Sequence, residues 1–143
     1  MKKPSKNWPA SDIIYISIEE IVAIHDRMLE IGKGKEGIRD FTLLHSSCER
    51  PKAAFSGRLL YPNIWLQAAA LLQSLIKNHP FYDGNKRTGF FSTWRFLYLN
   101  GIEINASENE IIDFCPDVAN RKLKIEEIAS WLNHKCRKNR KRF

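Results

Sequence analysis

The residues best suited to chemistry lie in one stretch, from His79 to Gly89, which reads HPFYDGNKRTG. A histidine titrates near neutral pH and can accept the proton of a hydroxyl group. A carboxylate suits Mg²⁺, because this ion binds few protein carboxylates together with phosphate oxygens. Two adjacent cations can neutralise the charge on transferring oxygens. The stretch therefore indicates phosphoryl-type chemistry. The candidate groups are His79, Asp83, Lys86 and Arg87.

These groups are expected on a loop that leads into a helix. Pro80 lacks an N–H and biases the residue before it away from helical geometry, so the preceding helix should end there. Gly84 permits a close backbone approach that a side chain would block. A mostly buried helix is predicted by the residues that follow, Phe90, Phe91, Trp94, Leu97 and Tyr98. Its free N–H groups and macrodipole would favour a phosphate at the N-terminus.

The whole string resembles the signature of the Fic/Doc (Fido) superfamily, HxFx(D/E)GN(G/K)R. The lysine at position 86 resembles the Doc (death-on-curing) branch of the superfamily. Members outside that branch carry glycine at this position. Further stretches look like that branch, namely Ile24-His25-Asp26, Leu60-Tyr61-Pro62 and Leu97-Tyr98-Leu99-Asn100-Gly101. The resemblance covers about 110 residues, from roughly Ile16 to Asn133. It implies an all-α fold, a compact helical bundle with the motif loop at the N-terminus of a central helix.

The resemblance also implies a role for each motif residue. His79 would deprotonate a Ser, Thr or Tyr hydroxyl of a protein target. Asp83 would hold Mg²⁺ against the phosphates of ATP. The anion cradle and the cations on the phosphate charges would come from Gly84, Asn85, Lys86 and Arg87. The side chain of Phe81 would anchor the loop on the core.

The branch decides which group is transferred. The Doc branch implies a protein kinase that presents the γ-phosphate of ATP, acts on a translation elongation factor and serves as the toxin of a toxin–antitoxin pair. Members that transfer AMP carry glycine at the position of Lys86 and arginine at that of Phe90, so this chain departs from them twice. Phe91 stands where the branch has an asparagine contact, which leaves the donor open. AMP transfer is therefore the alternative enzymatic function.

Regulation is predicted from a pattern that the chain lacks. Many Fic proteins carry an inhibitory helix of pattern (S/T)xxxE(G/N), and this sequence contains none. The resemblance then implies inhibition by a separate antitoxin. A disordered antitoxin segment that folds into a groove would suit that branch.

The net charge of +7 is concentrated at the two ends. Residues 1–12 carry +2 and residues 133–143 carry +6, whereas the other 120 residues carry 14 cations and 15 anions. We therefore divide the chain into a basic N-terminal arm (1–12), a Fido domain (13–133) and a basic C-terminal tail (134–143). Basic tails can bind nucleic acid, although solvated ends are more common. A non-catalytic module with nucleic-acid-contacting tails is the third functional hypothesis.

Length and composition favour a small cytoplasmic enzyme. A chain of 143 residues suits one domain. Charges interrupt every apolar stretch before the roughly 18 residues that a membrane helix needs, and the N-terminus is too polar for a signal peptide. Three cysteines without CxxC spacing argue against a disulfide framework or a zinc site.

Capping patterns and apolar spacing predict helices almost throughout. The first predicted helix runs from after Ser17 to Gly32, and a short second one spans about 40–47. A long central helix follows Asn63, and the motif helix spans about 85–100. Two more helices are predicted, one after Ser107 that Pro116 limits or kinks and a last one from near Lys124. A further turn is expected before Pro51. The segment 102–104 alternates like a strand but looks too short and isolated to build a sheet.

Two features imitate functional motifs. Residues 32–37 satisfy GxGxxG, but they follow a helix instead of a strand, so the geometry for dinucleotide binding is missing and a flexible loop near the site is expected. His25 lies on or beside the apolar face of the first helix. We therefore expect a satisfied, partly buried histidine there and not a catalytic one.

Overall fold

A computed structural model describes residues 12–120 and 123–138 of the protein. Within these ranges the α-helices are α1 (Ile18–Gly32), α2 (Phe41–Glu49), α3 (Ile64–Asn78), α4 (Asn85–Leu99), α5 (Glu108–Ala119) and α6 (Ile125–Lys135). A 3₁₀ turn, Arg50–Lys52, follows α2. Two antiparallel two-stranded ladders complete the fold, β1 (Ala54–Phe55) with β2 (Arg58–Leu59) and β3 (Ile102–Ile104) with β4 (Cys136–Lys138). The predicted compact, all-α class is confirmed.

Helix α3 lies at the centre because it is apolar on most sides. Ten of its 15 residues are buried, including the three consecutive alanines 68–70. It packs against α2, α4, α5 and α6. Gly89 lets α4 approach closely, since a Cβ there would come within 3.0 Å of the Cγ1 of Ile76. The tightly packed α3–α4 pair therefore holds the connecting loop from both of its ends.

The helices begin at the capping residues that the sequence indicates. Ser17 and Ser107 each accept the N–H of a glutamate three residues later and form complete capping boxes. The side chains of Asp40 and Asn63 cap α2 and α3 by accepting N–H groups of the first turn. Each cap satisfies a donor that the helix itself leaves without a partner.

Pro116 does not end α5, which continues for another turn to Ala119. The main-chain oxygen of Pro116 accepts the N–H of Asn120 at 2.9 Å, so the helical pattern resumes beyond the proline. The N–H that Pro116 lacks would have served Ile112, a residue that is 59% exposed. Water can reach such a position, which lowers the cost of the missing hydrogen bond.

The expectation that residues 102–104 stand alone was wrong. Strand β3 pairs with β4 in the register Ile102–Lys138, Glu103–Arg137 and Ile104–Cys136. The partner strand belongs to the segment that the sequence assigns to a basic tail, and α6 extends to Lys135 in the same segment. The three-part division of the chain stays a prediction. Its outermost parts, residues 1–11 and 139–143, lie outside the described residues.

The three cysteines are free, with Cys48 and Cys115 buried and Cys136 half-buried. Burial raises the pKa of Cys115 to about 11 and that of Cys136 to about 12, so both thiols stay protonated at neutral pH. Across the described ranges, the helices are too short or too polar to cross a bilayer.

Candidate active site

The motif loop, residues 79–84, connects α3 to α4 through two left-handed residues. His79 ends α3 with φ 49° and ψ 56°, and Gly84 precedes α4 with φ 80° and ψ 15°. Between them the Phe81 side chain is 1% exposed, which confirms its expected role as an anchor. The loop therefore turns tightly over the core and keeps its polar side chains outside.

Helix α4 starts without a side-chain cap. Gly84 supplies no capping oxygen, and the first turn contains no acidic residue. The N–H groups of this turn therefore have no partner within the helix, and the macrodipole adds a partial positive charge. Lys86 is exposed in the same turn. This end of α4 has the donors and the positive charge that an anion requires.

The Asn85 side chain braces the motif loop from within. Its Oδ1 accepts the N–H of Phe81 at 3.0 Å, and its Nδ2 donates to the Phe81 carbonyl at 2.9 Å. The residue is only 6% exposed. An anion at this end of α4 would therefore meet the main-chain N–H of Asn85 and not its amide. The sequence did not indicate this bracing.

His79 is exposed, and its ring is weakly held. The Nδ1 atom lies 3.5 Å from Asn85 Nδ2, which is the outer limit of a hydrogen bond. An amide nitrogen donates and does not accept, so this contact favours the tautomer with its lone pair on Nδ1. Proton acceptance through Nε2 needs the other tautomer, with the hydrogen on Nδ1. A ring bound this loosely can turn when a substrate hydroxyl arrives.

The chain segment 33–40 runs alongside the motif loop. Ile38 forms an antiparallel bridge with Phe81, and the Arg39 N–H donates to the Pro80 carbonyl at 2.7 Å. Within the GxGxxG stretch, the Gly37 carbonyl accepts the Tyr82 N–H at 3.4 Å, so this stretch lies near the site, as expected. The contact between the two loops was not apparent from the sequence.

The exposed carboxylate of Asp83 is tied to this segment. Its Oδ2 accepts the Lys35 N–H at 2.6 Å. Gly34 allows the contact, because a Cβ there would come within 3.0 Å of Asp83 Cβ. A single carboxylate fits Mg²⁺, which takes most of its remaining ligands from phosphates and water. Within the described ranges no group of three or more His, Cys, Asp or Glu side chains could hold a metal ion.

His25, on α1, supports the motif loop from its buried side. It is 1% exposed and stacks on the Phe81 ring at 3.8 Å between centroids. Its Nε2 lies 2.8 Å from the Asp83 carbonyl oxygen, to which it donates. The prediction of a satisfied, non-catalytic histidine is consistent with this position, and the burial is more complete than expected.

Arg87 is half-buried and has an internal partner. Its Nη1 donates to the Met28 carbonyl at 3.1 Å, near the C-terminus of α1. Helix α1 has no basic residue in its own last turn, so Arg87 supplies the favourable cation there. The guanidinium occupies the space beside Gly32, where a Cβ would come within 1.7 Å of Nη1. Lys86 is therefore the more exposed of the two predicted phosphate-binding cations.

A separate apolar groove lies between α1 and α4. Its volume is about 370 Å³, and Trp94 and Tyr98 in it remain 41% and 38% exposed. The groove is lined by Ile24, Arg27, Met28, Phe91, Trp94, Arg95, Tyr98 and Glu103. Exposed aromatic residues next to arginines are common at protein–protein interfaces.

The helical fold and its histidine-bearing loop at the N-terminus of α4 together define the Fido class. The model of the Fic/DOC family matches residues 15–97, more than half of the sequence, so the chain belongs to that family. The matched region contains α1 to α3, the motif loop and most of α4.

Two relatives share the Doc resemblance. The chain is 41% identical over 101 residues to Toxin Doc of Mycolicibacterium smegmatis, which covers 69% of this chain and 78% of the relative. It is 29% identical over 121 residues to Protein kinase doc of Escherichia phage P1, which covers 82% of this chain and 92% of the relative. These similarities confirm the expected place of the chain on the Doc side of the family.

Proposed function

We propose that the protein is a Doc-like toxin that transfers the γ-phosphoryl group of Mg-ATP to a hydroxyl of a protein target, in the translation elongation factor class. The observation that carries the proposal is the juxtaposition of exposed His79, exposed Asp83 and the uncapped N-terminus of α4 on one loop. The names of the two relatives, one a toxin and one a protein kinase, support the same assignment.

The residues divide the work of such a transfer. His79 accepts the proton of the attacking hydroxyl as a new O–P bond forms to the γ-phosphorus. The bond between this phosphorus and the bridging oxygen breaks, and ADP leaves. Positioned acid–base assistance of this kind contributes on the order of 10²–10⁴ in rate. The main-chain N–H groups of α4 and the Lys86 ammonium stabilise the phosphate charge.

Asp83 is the residue that would hold Mg²⁺. Bound there, the ion would neutralise phosphate charge and polarise the transferring group. The Lys35 N–H fixes the carboxylate at 2.6 Å, so Asp83 is oriented before any ligand arrives. Such preorganisation limits the reorganisation needed in the transition state.

The groove between α1 and α4 supports a separate inhibitory partner. It offers exposed Trp94 and Tyr98 to an apolar surface and places Arg27 and Arg95 in the same lining. An amphipathic antitoxin helix with acidic flanks would complement both features. The 41% identity to Toxin Doc is the sequence basis for expecting such a partner.

The test uses purified protein, Mg²⁺ and a bacterial extract with ATP labelled at either the α- or the γ-phosphate. His79→Ala is the inactive variant, and His134→Ala, which removes an exposed histidine of α6, is its matched control. We expect γ-label alone on a protein band, lost in His79→Ala and kept in His134→Ala. Transfer of α-label would mean AMP transfer. Equal labelling by the wild type and His79→Ala would contradict both enzymatic assignments and favour the binding module.

A further inference from the structure

Arg39, a residue of another segment, donates hydrogen bonds to main-chain carbonyl groups at the C-terminus of α3. We propose that Arg39 is a positioning residue for His79, an inference that rests on the proposed transfer reaction. Arg39 lies in the segment 33–40 and is exposed, so its role does not come from core packing. No sequence pattern indicates this role, because Arg39 has no motif residue beside it in the chain.

Three successive carbonyl groups accept hydrogen bonds from Arg39. Its Nη2 donates to the Asn78 oxygen at 2.8 Å, and its Nε donates to the His79 oxygen at 2.6 Å. Its main-chain N–H donates to the Pro80 oxygen at 2.7 Å. The neighbouring Asp40 N–H reaches the same Pro80 oxygen at 3.0 Å. Arg39 therefore contacts the backbone on both sides of the His79 Cα, with the Asp40 N–H as a second donor to Pro80.

This part of the backbone needs such support. The last carbonyls of a helix have no partner within it, and they carry the negative end of the macrodipole. His79 adopts φ 49°, a left-handed conformation that is unfavourable for a residue with a Cβ. The guanidinium offsets this cost, because hydrogen bonds from a charged donor are stronger than neutral ones.

The left-handed backbone determines the direction in which the His79 side chain leaves α3. Among the described residues, the ring's hydrogen-bond contact is the 3.5 Å one to Asn85, so the ring position depends mainly on the backbone. A displacement of about 1 Å at a reacting group can cost on the order of 100-fold in rate. Loss of the Arg39 contacts should therefore slow proton transfer at His79.

Lysine cannot replace this arrangement. Nε and Nη2 of Arg39 lie in one rigid plane and reach two carbonyls at once, whereas an ammonium on a flexible stem offers no fixed fork. The two hydrogen bonds of the Arg39 side chain are separate from those that hold the predicted phosphate-site residues Asp83 and Arg87. Asp83 is held by Lys35 and His25, and Arg87 is held by Met28. Nucleotide binding should therefore survive substitution of Arg39.

The kinetic test compares Arg39→Ala and Arg39→Lys with Arg58→Ala, which removes an exposed arginine from β2. We expect the transfer rate at saturating ATP to fall at least tenfold in both Arg39 variants, with the nucleotide Kd within twofold of wild type. Guanidinium chloride at tens of millimolar should partly restore Arg39→Ala, and NaCl at equal ionic strength should not. A fully active Arg39→Lys, or a raised Kd with an unchanged rate, would overturn the proposal.

A second readout does not depend on transfer. The imidazole signals of the nucleotide-free protein are recorded by NMR after ¹³C labelling of histidine, and His79 is assigned from the His79→Ala spectrum. We expect the His79 signals to move in Arg39→Ala, while those of His45 and His134 stay in place. Unmoved His79 signals would overturn the proposal. Should the wild type transfer no phosphate at all, the proposed function fails, and the NMR result still decides whether Arg39 positions His79.

Discussion

The residues of the motif divide into two groups at the N-terminus of α4. Asn85 is buried and Arg87 is half-buried, and each side chain donates to a main-chain carbonyl, that of Phe81 in the motif loop and that of Met28 in α1 respectively. Lys86 lies between them and is exposed. Substitution of Asn85 or Arg87 should therefore lower the stability of the fold. Substitution of Lys86 should instead weaken ligand binding.

Asn85→Ala should destabilise the protein, and Lys86→Ala should not. Asn85 satisfies both the N–H and the carbonyl of buried Phe81, and each group left without a partner costs about 1–3 kcal/mol. We expect the free energy of unfolding to fall by about 2–6 kcal/mol. For Lys86→Ala we expect a change within about 0.5 kcal/mol. Urea unfolding of the two variants measures both values, and similar losses in both would show that Asn85 braces nothing.

The contact between Gly32 and Arg87 predicts a change of sign in a double-mutant cycle. In the wild type, Gly32→Ala places a methyl group where Arg87 Nη1 lies and should expel the guanidinium from Met28. A lost charge-assisted hydrogen bond costs about 1.5–3 kcal/mol, which exceeds the helical preference of about 1 kcal/mol for alanine over glycine. With Arg87→Ala already present, the space is empty, and Gly32→Ala should stabilise.

Thermal and urea unfolding of the four proteins in this cycle give the coupling free energy directly. The two single variants should each be less stable than the wild type, and the double variant should be more stable than Arg87→Ala alone. Additive effects would mean that Gly32 does not make room for Arg87. The same variants can be assayed for phosphate transfer, since Gly32→Ala keeps the guanidinium but moves it.

At the scale of elements, the sequence predicted what local interactions decide. The caps at Ser17, Asn63 and Ser107 act within one helical turn, so their residue types alone located three helix starts. The β3–β4 ladder joins segments far apart in the chain, and its second strand carries no strand pattern. The pairing of residues 33–40 with the motif loop likewise joins segments that are far apart in the chain. Contacts of this kind depend on how the intervening helices pack, which no local pattern encodes.

The same distinction applies to the candidate site. The motif located the loop, its anchor Phe81 and the helix that follows, because these are neighbours in sequence. It did not reveal that His25 and Arg39 support the loop from α1 and from the segment after it. Their contacts are to main-chain carbonyls, which any residue type provides. The motif residues therefore carry no sequence signal that indicates His25 or Arg39 as their partners.

The capping box of α5 predicts an acid-dependent stability. The Lys135 ammonium, together with the Ser107 N–H, holds the pKa of Glu110 down to about 2 from its ordinary 4.5. A carboxyl group with a lowered pKa in the folded state stabilises the protein fully above pH 4.5 and loses that contribution as the pH falls towards 2. Glu110→Gln should therefore be less stable than the wild type at pH 7.

The measurement is urea unfolding of wild type and Glu110→Gln at several pH values. The difference between them should be constant above pH 4.5 and shrink between pH 4.5 and 2. Glu108→Gln removes a carboxylate from the same first turn of α5 and serves as the matched control. A difference that persists unchanged at pH 2 would show that Glu110 acts through packing and not through its charge.

At the scale of the whole molecule, the candidate site belongs to the first two thirds of the chain, and the last helices support it. The family match ends at residue 97, so α5, α6 and the β3–β4 ladder lie beyond it. Helix α6 nevertheless packs extensively on α3, and its Ile128 and Leu132 are fully buried. The central helix that carries His79 at its end is thus enclosed partly by elements outside the matched region.

Two truncations should separate this structural support from the basic tail. A chain that ends after Lys138 keeps both ladders, whereas one that ends after Asn133 loses β4 and the contact of Lys135 with Glu110. Ile102, 1% exposed beside β4, would then meet water. We expect the longer truncation to lower the melting temperature by several degrees, since about 1 kcal/mol corresponds to roughly 4 °C in a chain of this size. The shorter truncation should leave it unchanged.

The same pair of proteins tests the nucleic-acid hypothesis without confusing it with misfolding. Ending the chain after Lys138 removes Arg140, Lys141 and Arg142, three of the cations that could contact phosphates. If the tail binds nucleic acid, this truncation should weaken binding and make the slope of log K against log salt shallower by up to about 3. Its melting temperature and phosphate transfer should stay at wild-type values. Equal salt slopes in the full and the shortened chain would instead exclude these three residues from any nucleic-acid contact. Lost transfer would give the tail a part in the reaction, because α6 and the β3–β4 ladder are intact in this variant.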